Sequence, residues 1–184
     1  MNLRNALVAL ASLLLGCGGF RSTIDHGIPN LVEVAPRLYR MGQPADVMAW
    51  NHLASRIGEP GGRVLVVKLN SEAEGSDASV VDFIGWRLVV ATIPPEENEP
   101  LSVLTKPDPV LVRKIVREIA EAYEHGDTVI WHCTEGRDRT GLITGLVGMR
   151  LLGWSKSQAW DDMISHGFRW ELPALDAYWM EDAR

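Results

Sequence analysis

Val129-Ile130-Trp131-His132-Cys133-Thr134-Glu135-Gly136-Arg137-Asp138-Arg139-Thr140-Gly141 decides the fold. An apolar, largely β-branched run ends in a cysteine, and a loop with one glycine and two arginines follows. From Thr140 to Leu152 the chain has a helical pattern that is apolar nearly all round, which predicts a buried helix. A strand entering a helix N-terminus through a tight loop turns backbone N–H groups inward and brings up the positive end of the helix dipole. That is an anion site. The same field favours a thiolate. An unperturbed thiol with pKa about 8.5 is only about 3% ionised at pH 7, and surroundings of this kind lower it by several units. Three units correspond to roughly 4 kcal/mol in favour of the nucleophilic form. Gly136 permits the curvature, and Arg139 offers a bidentate fork to two oxygens of an anion. Glycine at both the third and eighth positions after Cys133 has a chance probability of about 0.005.

Working outward, Thr128–His132 is read as one strand, and Arg63 to Asn70 (RVLVVKLN) as another, buried on both faces. WRLVVATIP is a third, and LVEVAPRLYRMGQP gives two short strands before a turn at Gly42-Gln43-Pro44. Asp46 caps a helix to about Ile57, and a short helix is placed over Ser79–Phe83. Asp108 with Pro109 opens an amphipathic helix that closes at His125-Gly126. Ser155 caps a helix to about His166, and Leu172–Glu181 forms the last. The order predicts an α/β fold with a central, mostly parallel sheet flanked by helices. One domain suits 184 residues, and 46% hydrophobic with 23% charged content argues against general disorder. A net charge of −6 gives no footprint for nucleic acid. Two cysteines, Cys17 and Cys133, supply no disulfide framework, and no metal-site spacing occurs along the chain.

A cysteine, five residues, an arginine and Thr-Gly resembles the phosphate loop of the cysteine-dependent protein tyrosine phosphatase superfamily. Tyr39-Arg40-Met41-Gly42-Gln43-Pro44 is similar to the stretch that opens the domain in atypical dual-specificity phosphatases of bacteria, fungi and plants. Two matches so far apart extend the resemblance over most of residues 31 to 170. It implies that Cys133 attacks phosphorus to give a phosphocysteine, which water hydrolyses, with no metal or organic cofactor. Thr134, Glu135, Gly136, Arg137, Asp138 and Arg139 then form the substrate cradle, and Thr140 donates its hydroxyl to the Cys133 sulfur, easing its departure. His132 either orders the loop through hydrogen bonds or is a core histidine.

The leaving oxygen needs a proton, which relatives usually take from an upstream aspartate. This chain departs from that pattern, with Glu96, Glu97 and Glu99 but no aspartate before the helix cap Asp108. Glu99-Pro100 resembles the Lys-Glu-Pro segment of plant and fungal relatives, which makes Glu99 the expected acid. Arg137 fits either a second cation for a substrate with several phosphates or a surface charge paired with Glu135 or Asp138. The expected substrate is a phosphorylated protein, with an inositol phosphate or phosphoinositide as the alternative. A non-catalytic phosphoryl-binding protein is the reading from another class. Rhodanese-like transferases and arsenate reductases also hold a cysteine in an anion loop, but lack the Arg-Thr-Gly ending.

Residues 1–16 read as a signal peptide: Arg4, then a short apolar core from Ala6 to Leu15. Leu14-Leu15-Gly16-Cys17 resembles the bacterial lipobox, which implies lipidation of Cys17 and export, anchored to a membrane and facing the periplasm. Residues 17–30 are then expected to be a tether and 31–184 the catalytic domain. Cys133 is left as the one unmodified thiol.

Overall fold

The computed structural model describes residues 23–57, 62–75, 77–94 and 106–183. Strands β1 (Ile24–Asp25) and β2 (Ile28–Pro29) form a small hairpin. The main sheet holds β3 (Val32–Ala35), β4 (Leu38–Gly42), β5 (Val64–Lys68), β6 (Arg87–Val90) and β7 (Thr128–Cys133). Its order is β3-β4-β7-β5-β6, antiparallel only between β3 and β4. The expected mostly parallel sheet is therefore present. The third predicted strand is shorter than WRLVVATIP and lies at the sheet edge, where its side chains are at most half-buried.

Helices α1 (Val47–Ile57) and α2 (Ala78–Phe83) cover one face. The other face carries α3 (Pro109–Glu124), α4 (Asp138–Leu151), α5 (Lys156–Ser165) and α6 (Pro173–Asp182). The caps follow the sequence: Asp46 Oδ1 accepts from Ala49 N at 2.9 Å, Asp108 from Val110 N at 2.8 Å, and Ser155 with Gln158 forms a capping box.

The two-residue period of a strand sorts the central side chains. Val129, Trp131 and Cys133 enter the core beneath α3 and α4, while Ile130 enters the core beneath α1. Leu65, Val67 and Leu69 share the first core, and Val64 and Val66 the second. All of these are at most 5% exposed, each burial contributing roughly 1.5–3 kcal/mol for a full-sized aliphatic side chain. Lys68 follows the same alternation onto the α1 face, as the register partner of His132. A buried charge there needs partners.

The stretch expected as tether is corrected in part. Residues 23–30 form the hairpin, and Ile28 is fully buried in the core under α1, so the folded domain begins before Leu31. The signal peptide and Cys17 lie outside the described residues.

Candidate active site

Cys133 ends β7, is 3% exposed, and its Sγ accepts the Thr140 hydroxyl at 3.1 Å. Thr140 lies in the first turn of α4, so strand, loop and helix start bring nucleophile and hydroxyl together. Trp131 Nε1 donates to Thr144 Oγ1 at 3.0 Å and fixes α4 against β7.

The loop rests on β4. Gly136 has φ +73°, and a Cβ there would stand 2.4 Å from Gly42 N. Both the left-handed backbone and the close approach require glycine. Gln43 N donates to the Thr134 carbonyl at 2.9 Å, and Asn30 Nδ2 to the Glu135 carbonyl at 2.8 Å. Beneath the loop, the fully buried Arg40 gives NH2 to the Gly136 carbonyl at 2.8 Å and lies 3.4 Å from Asp162 Oδ2. Burial pulls Arg40 down to about 10, against Asp162 and Cys133, which favour its cationic form. The Tyr-Arg-x-Gly-Gln-Pro stretch is thus the seat of the loop.

Arg139 is 8% exposed and its donors are nearly all assigned. NH1 reaches Glu74 Oε1 and the Ile93 carbonyl, both at 3.2 Å, while NH2 reaches Glu74 Oε2 at 2.8 Å and Thr134 Oγ1 at 3.1 Å. Glu74 therefore grips the far edge of the guanidinium. Of its donors only Nε carries none of these four bonds; burial disfavours the Arg139 charge, but Glu74 and the Cys133 sulfur outweigh it and hold the group charged. Burial raises the Glu74 carboxyl, but Arg139, Ser71 N and Thr134 outweigh it and hold it at about 2.

The segment bearing Glu74 is itself held by a buried polar cluster. Lys68 Nζ donates to Gln43 Oε1 at 3.0 Å, to the Gly75 carbonyl, and to Asp77 Oδ2 at 2.8 Å. Gln43 Nε2 donates to the other Asp77 oxygen, and Asn70 Nδ2 lies 3.3 Å from Gln43 Oε1. Lys68, Asp77 and His132 are fully buried, with His132 Nε2 3.3 Å from Asp77 Oδ2 and its ring edge-on to Trp50. Burial raises the Asp77 carboxyl, while His132 and Lys68 overcome this and hold it below its ordinary value. His132 acts in the core beside Asp77; its side chain does not bond the loop.

The remaining loop side chains point elsewhere. Asp138 accepts from Arg169 N at 2.9 Å and Nε at 3.0 Å, and from Arg169 NH2. Arg137 Nε donates to the Gly167 carbonyl at 2.9 Å, with NH1 3.4 Å from Glu135 Oε2. Both tie the loop to residues 167–169, and the Arg137–Glu135 pairing is one of the two alternatives open from sequence. Glu96, Glu97 and Glu99 lie outside the described residues, and Asp108 serves as a cap. Sequence reasoning missed Glu74, Lys68 and Asp77. Lys68 stood inside an apolar run and Glu74 in a stretch without period, so neither carried a local signal.

Three comparisons bear on this arrangement. The Tyrosine phosphatase family is matched over residues 102–165, which include the whole loop. The dual specificity protein phosphatase TpbA of Pseudomonas aeruginosa is 32% identical over 84 residues, 42% of this chain and 38% of that protein. The match thus spans well under half of that curated relative's length. The crystal structure of P. aeruginosa TpbA superposes with TM-score 0.64 at 22% identity, covering 89% of this chain and 91% of that one. The core catalytic domain of the PP-IP phosphatase Siw14 from S. cerevisiae, solved with citrate, gives 0.63 at 17% identity, covering 86% and 88%.

Proposed function

We propose that this chain is a member of the cysteine-dependent protein tyrosine phosphatase superfamily and a phosphomonoester hydrolase acting on phosphotyrosine or a similar phosphorylated group. The observation that carries the reading is Cys133 Sγ at 3.1 Å from the Thr140 hydroxyl, beside an Arg139 already oriented by Glu74. A loop that merely binds phosphate has no use for a hydroxyl aimed at a sulfur.

In the first step the Cys133 thiolate attacks phosphorus, the P–O bond to the leaving group breaks, and that oxygen takes a proton. Arg139 meets the phosphoryl oxygens through Nε and through the NH2 hydrogen that Thr134 Oγ1 otherwise accepts, as charge builds. Glu99 is the proposed donor. The assignment rests on the resemblance of Glu99-Pro100 to the Lys-Glu-Pro segment of plant and fungal relatives. In the second step water attacks phosphorus, the S–P bond breaks, and Thr140 donates to the departing sulfur.

For the substrate, TpbA has been solved in complex with pTyr, as a cysteine-to-serine variant that gives TM-score 0.63 against this chain. That supports the phosphoprotein reading. The second reading, an inositol phosphate, draws on the name of Siw14 and on Arg137 at the loop. Arg137 is engaged by Gly167 and Glu135, which favours the first. The chain is further proposed to be exported and anchored through acylated Cys17. None of the described helices is long and apolar enough to cross a membrane.

Hydrolysis of an aryl phosphate in the presence of chelator tests the activity. Turnover that Cys133→Ser abolishes while phosphate binding persists supports it; wild-type binding without turnover identifies a binding protein. A panel of phosphopeptides and inositol polyphosphates separates the two substrate classes. Mass spectrometry of the mature N-terminus, with acyl chains on Cys17 as the expected result, tests the anchor.

A further inference from the structure

On the α1 side of the sheet, the β1–β2 hairpin turns at His26-Gly27, with φ +48° and +81°. The turn lays the His26 ring on that of His52 in α1, with centroids 3.8 Å apart and planes at 16°. Asp25 Oδ1 lies 2.8 Å from His26 Nδ1 and 3.9 Å from His52 Nε2, and the other oxygen, Oδ2, is bonded by Arg56.

We propose that Asp25, His26 and His52 bind one divalent transition-metal ion of the zinc class. One donor atom from each residue lies within 4.8 Å of the others. Two imidazole nitrogens and a carboxylate oxygen are a donor set that zinc accepts with water completing the shell. Donors on a tetrahedral zinc ion at about 2.0–2.1 Å are about 3.3 Å apart. The Asp25–His26 separation is already shorter and the Asp25–His52 separation only slightly longer. The stacked rings must turn their lone pairs toward a common point. The His26 side chain is 69% exposed and has the room to do so.

Two further features suit an ion. Arg56 holds one oxygen of Asp25 and leaves the other facing both imidazoles, the kind of outer partner that orients a ligating carboxylate. A cavity of about 460 Å³ opens beside the two histidines, bounded by Asp46, Asn51 and Ser55, and gives space for bound water. The ion pairs alone account poorly for the arrangement, because pairs this exposed are weakened by water and salt. They also give no reason for a second imidazole over the first. The spacing of these residues along the chain hides the cluster, since His52 arrives from a helix beyond β4.

The consequence is a staple. A hairpin of two-residue strands is marginal by itself. An ion shared between it and α1 would fasten residues 24–29 to the domain at the point where the N-terminal segment joins. Binding to the folded chain alone raises stability by mass action, so the effect is readable without turnover.

The experiment titrates Co²⁺ into the chelator-stripped full chain carrying Cys133→Ser, which removes the competing loop thiol. Saturation at one ion per chain is expected, with no thiolate-to-cobalt charge-transfer band. His26→Ala and His52→Ala, both surface changes, should each weaken Co²⁺ binding at least about tenfold, since even outer-sphere losses cost that much. Zn²⁺ should raise the Tm of the parent and leave that of the double variant unmoved. Absence of saturable binding, or binding that the double variant retains, overturns the site.

Discussion

Glu74 holds Arg139 by both carboxylate oxygens, at 3.2 Å from NH1 and 2.8 Å from NH2. An arginine fixed at one edge presents the other in a set direction, so little orientation remains to be lost when a phosphoryl group arrives. Glu74→Gln keeps the shape and removes the charge. The expected result is a fall in kcat/KM of about 10–100-fold, below the 10²–10³ that follows loss of a donor touching the reacting group. Phosphate affinity of the Cys133→Ser variant should weaken in parallel, as calorimetry would show. Unchanged kinetics would mean that Glu74 does not orient Arg139.

The same pair fixes a pH dependence. The Glu74 carboxyl sits at about 2 in the folded chain against an ordinary 4.5. The unfolded chain therefore takes up the proton first as pH falls. Its contribution to stability is fully present above about pH 4.5 and is lost between there and pH 2. Urea unfolding measured from pH 6 to pH 2 should show a shallower decline for Glu74→Gln than for the parent.

Lys68 and Asp77 form a fully buried ion pair on the α1 side of the sheet. Breaking such a pair from one side leaves an uncompensated charge and costs about 3–5 kcal/mol. Asp77→Asn should therefore destabilise by that order. Lys68→Met combined with Asp77→Leu should recover much of the loss, because two apolar groups replace both ions. Chemical unfolding of the three variants checks this. Asp77 also anchors the side chain of Gln43, whose backbone N–H donates to the Thr134 carbonyl, and Lys68 holds the Gly75 carbonyl next to Glu74. The activity of the rescued double variant should thus remain lower than its recovered stability alone would suggest.

What could be read from the chain and what could not divides by range of interaction. Cys133, Gly136, Arg139 and Thr140 lie within eight residues, and their spacing is the chemistry, so the loop was legible. The caps at Asp46, Asp108 and Ser155 act over two or three residues and were equally plain. Glu74 acts on a residue 65 positions away, and Lys68 serves through a carboxylate in the next segment. Such partners are chosen by the stacking of β5 against β7, which a local pattern does not encode. Within the expected tether, residues 17–30, the two-residue strands carry no period to read; burial of Ile28 is what makes residues 23–30 part of the domain.

Glu99→Gln tests the proton donor separately from the nucleophile. Removal of a positioned general acid costs typically 10²–10⁴-fold. The loss should shrink for substrates whose leaving oxygen needs no proton, so a nitrophenolate ester should suffer less than a phosphopeptide. The alkaline limb of the pH–rate profile should also disappear. A profile identical to the parent's would move the role to Glu96, Glu97 or Asp108, each answerable by the same substitution to the amide.

Thr140 tests the second half of the reaction. Its hydroxyl lies 3.1 Å from Cys133 Sγ, and the residue is fully buried, so Thr140→Val preserves volume while deleting the donor. A departing thiolate without that hydrogen bond is a poorer leaving group, and loss of one such donor costs about 10²–10³-fold in rate. Formation of the phosphocysteine uses the sulfur as nucleophile and should be slowed far less. The variant should therefore show a burst of one alcohol released per chain, followed by slow turnover, with phosphate trapped on Cys133 in quenched samples. Slow release with no burst would place the role of Thr140 in the attack step instead. Thr144 Oγ1, which donates to the Thr140 carbonyl at 2.7 Å and accepts from Trp131, is the matched control. Its replacement by valine should lower stability through the unpaired indole N–H and leave the burst pattern of the parent intact.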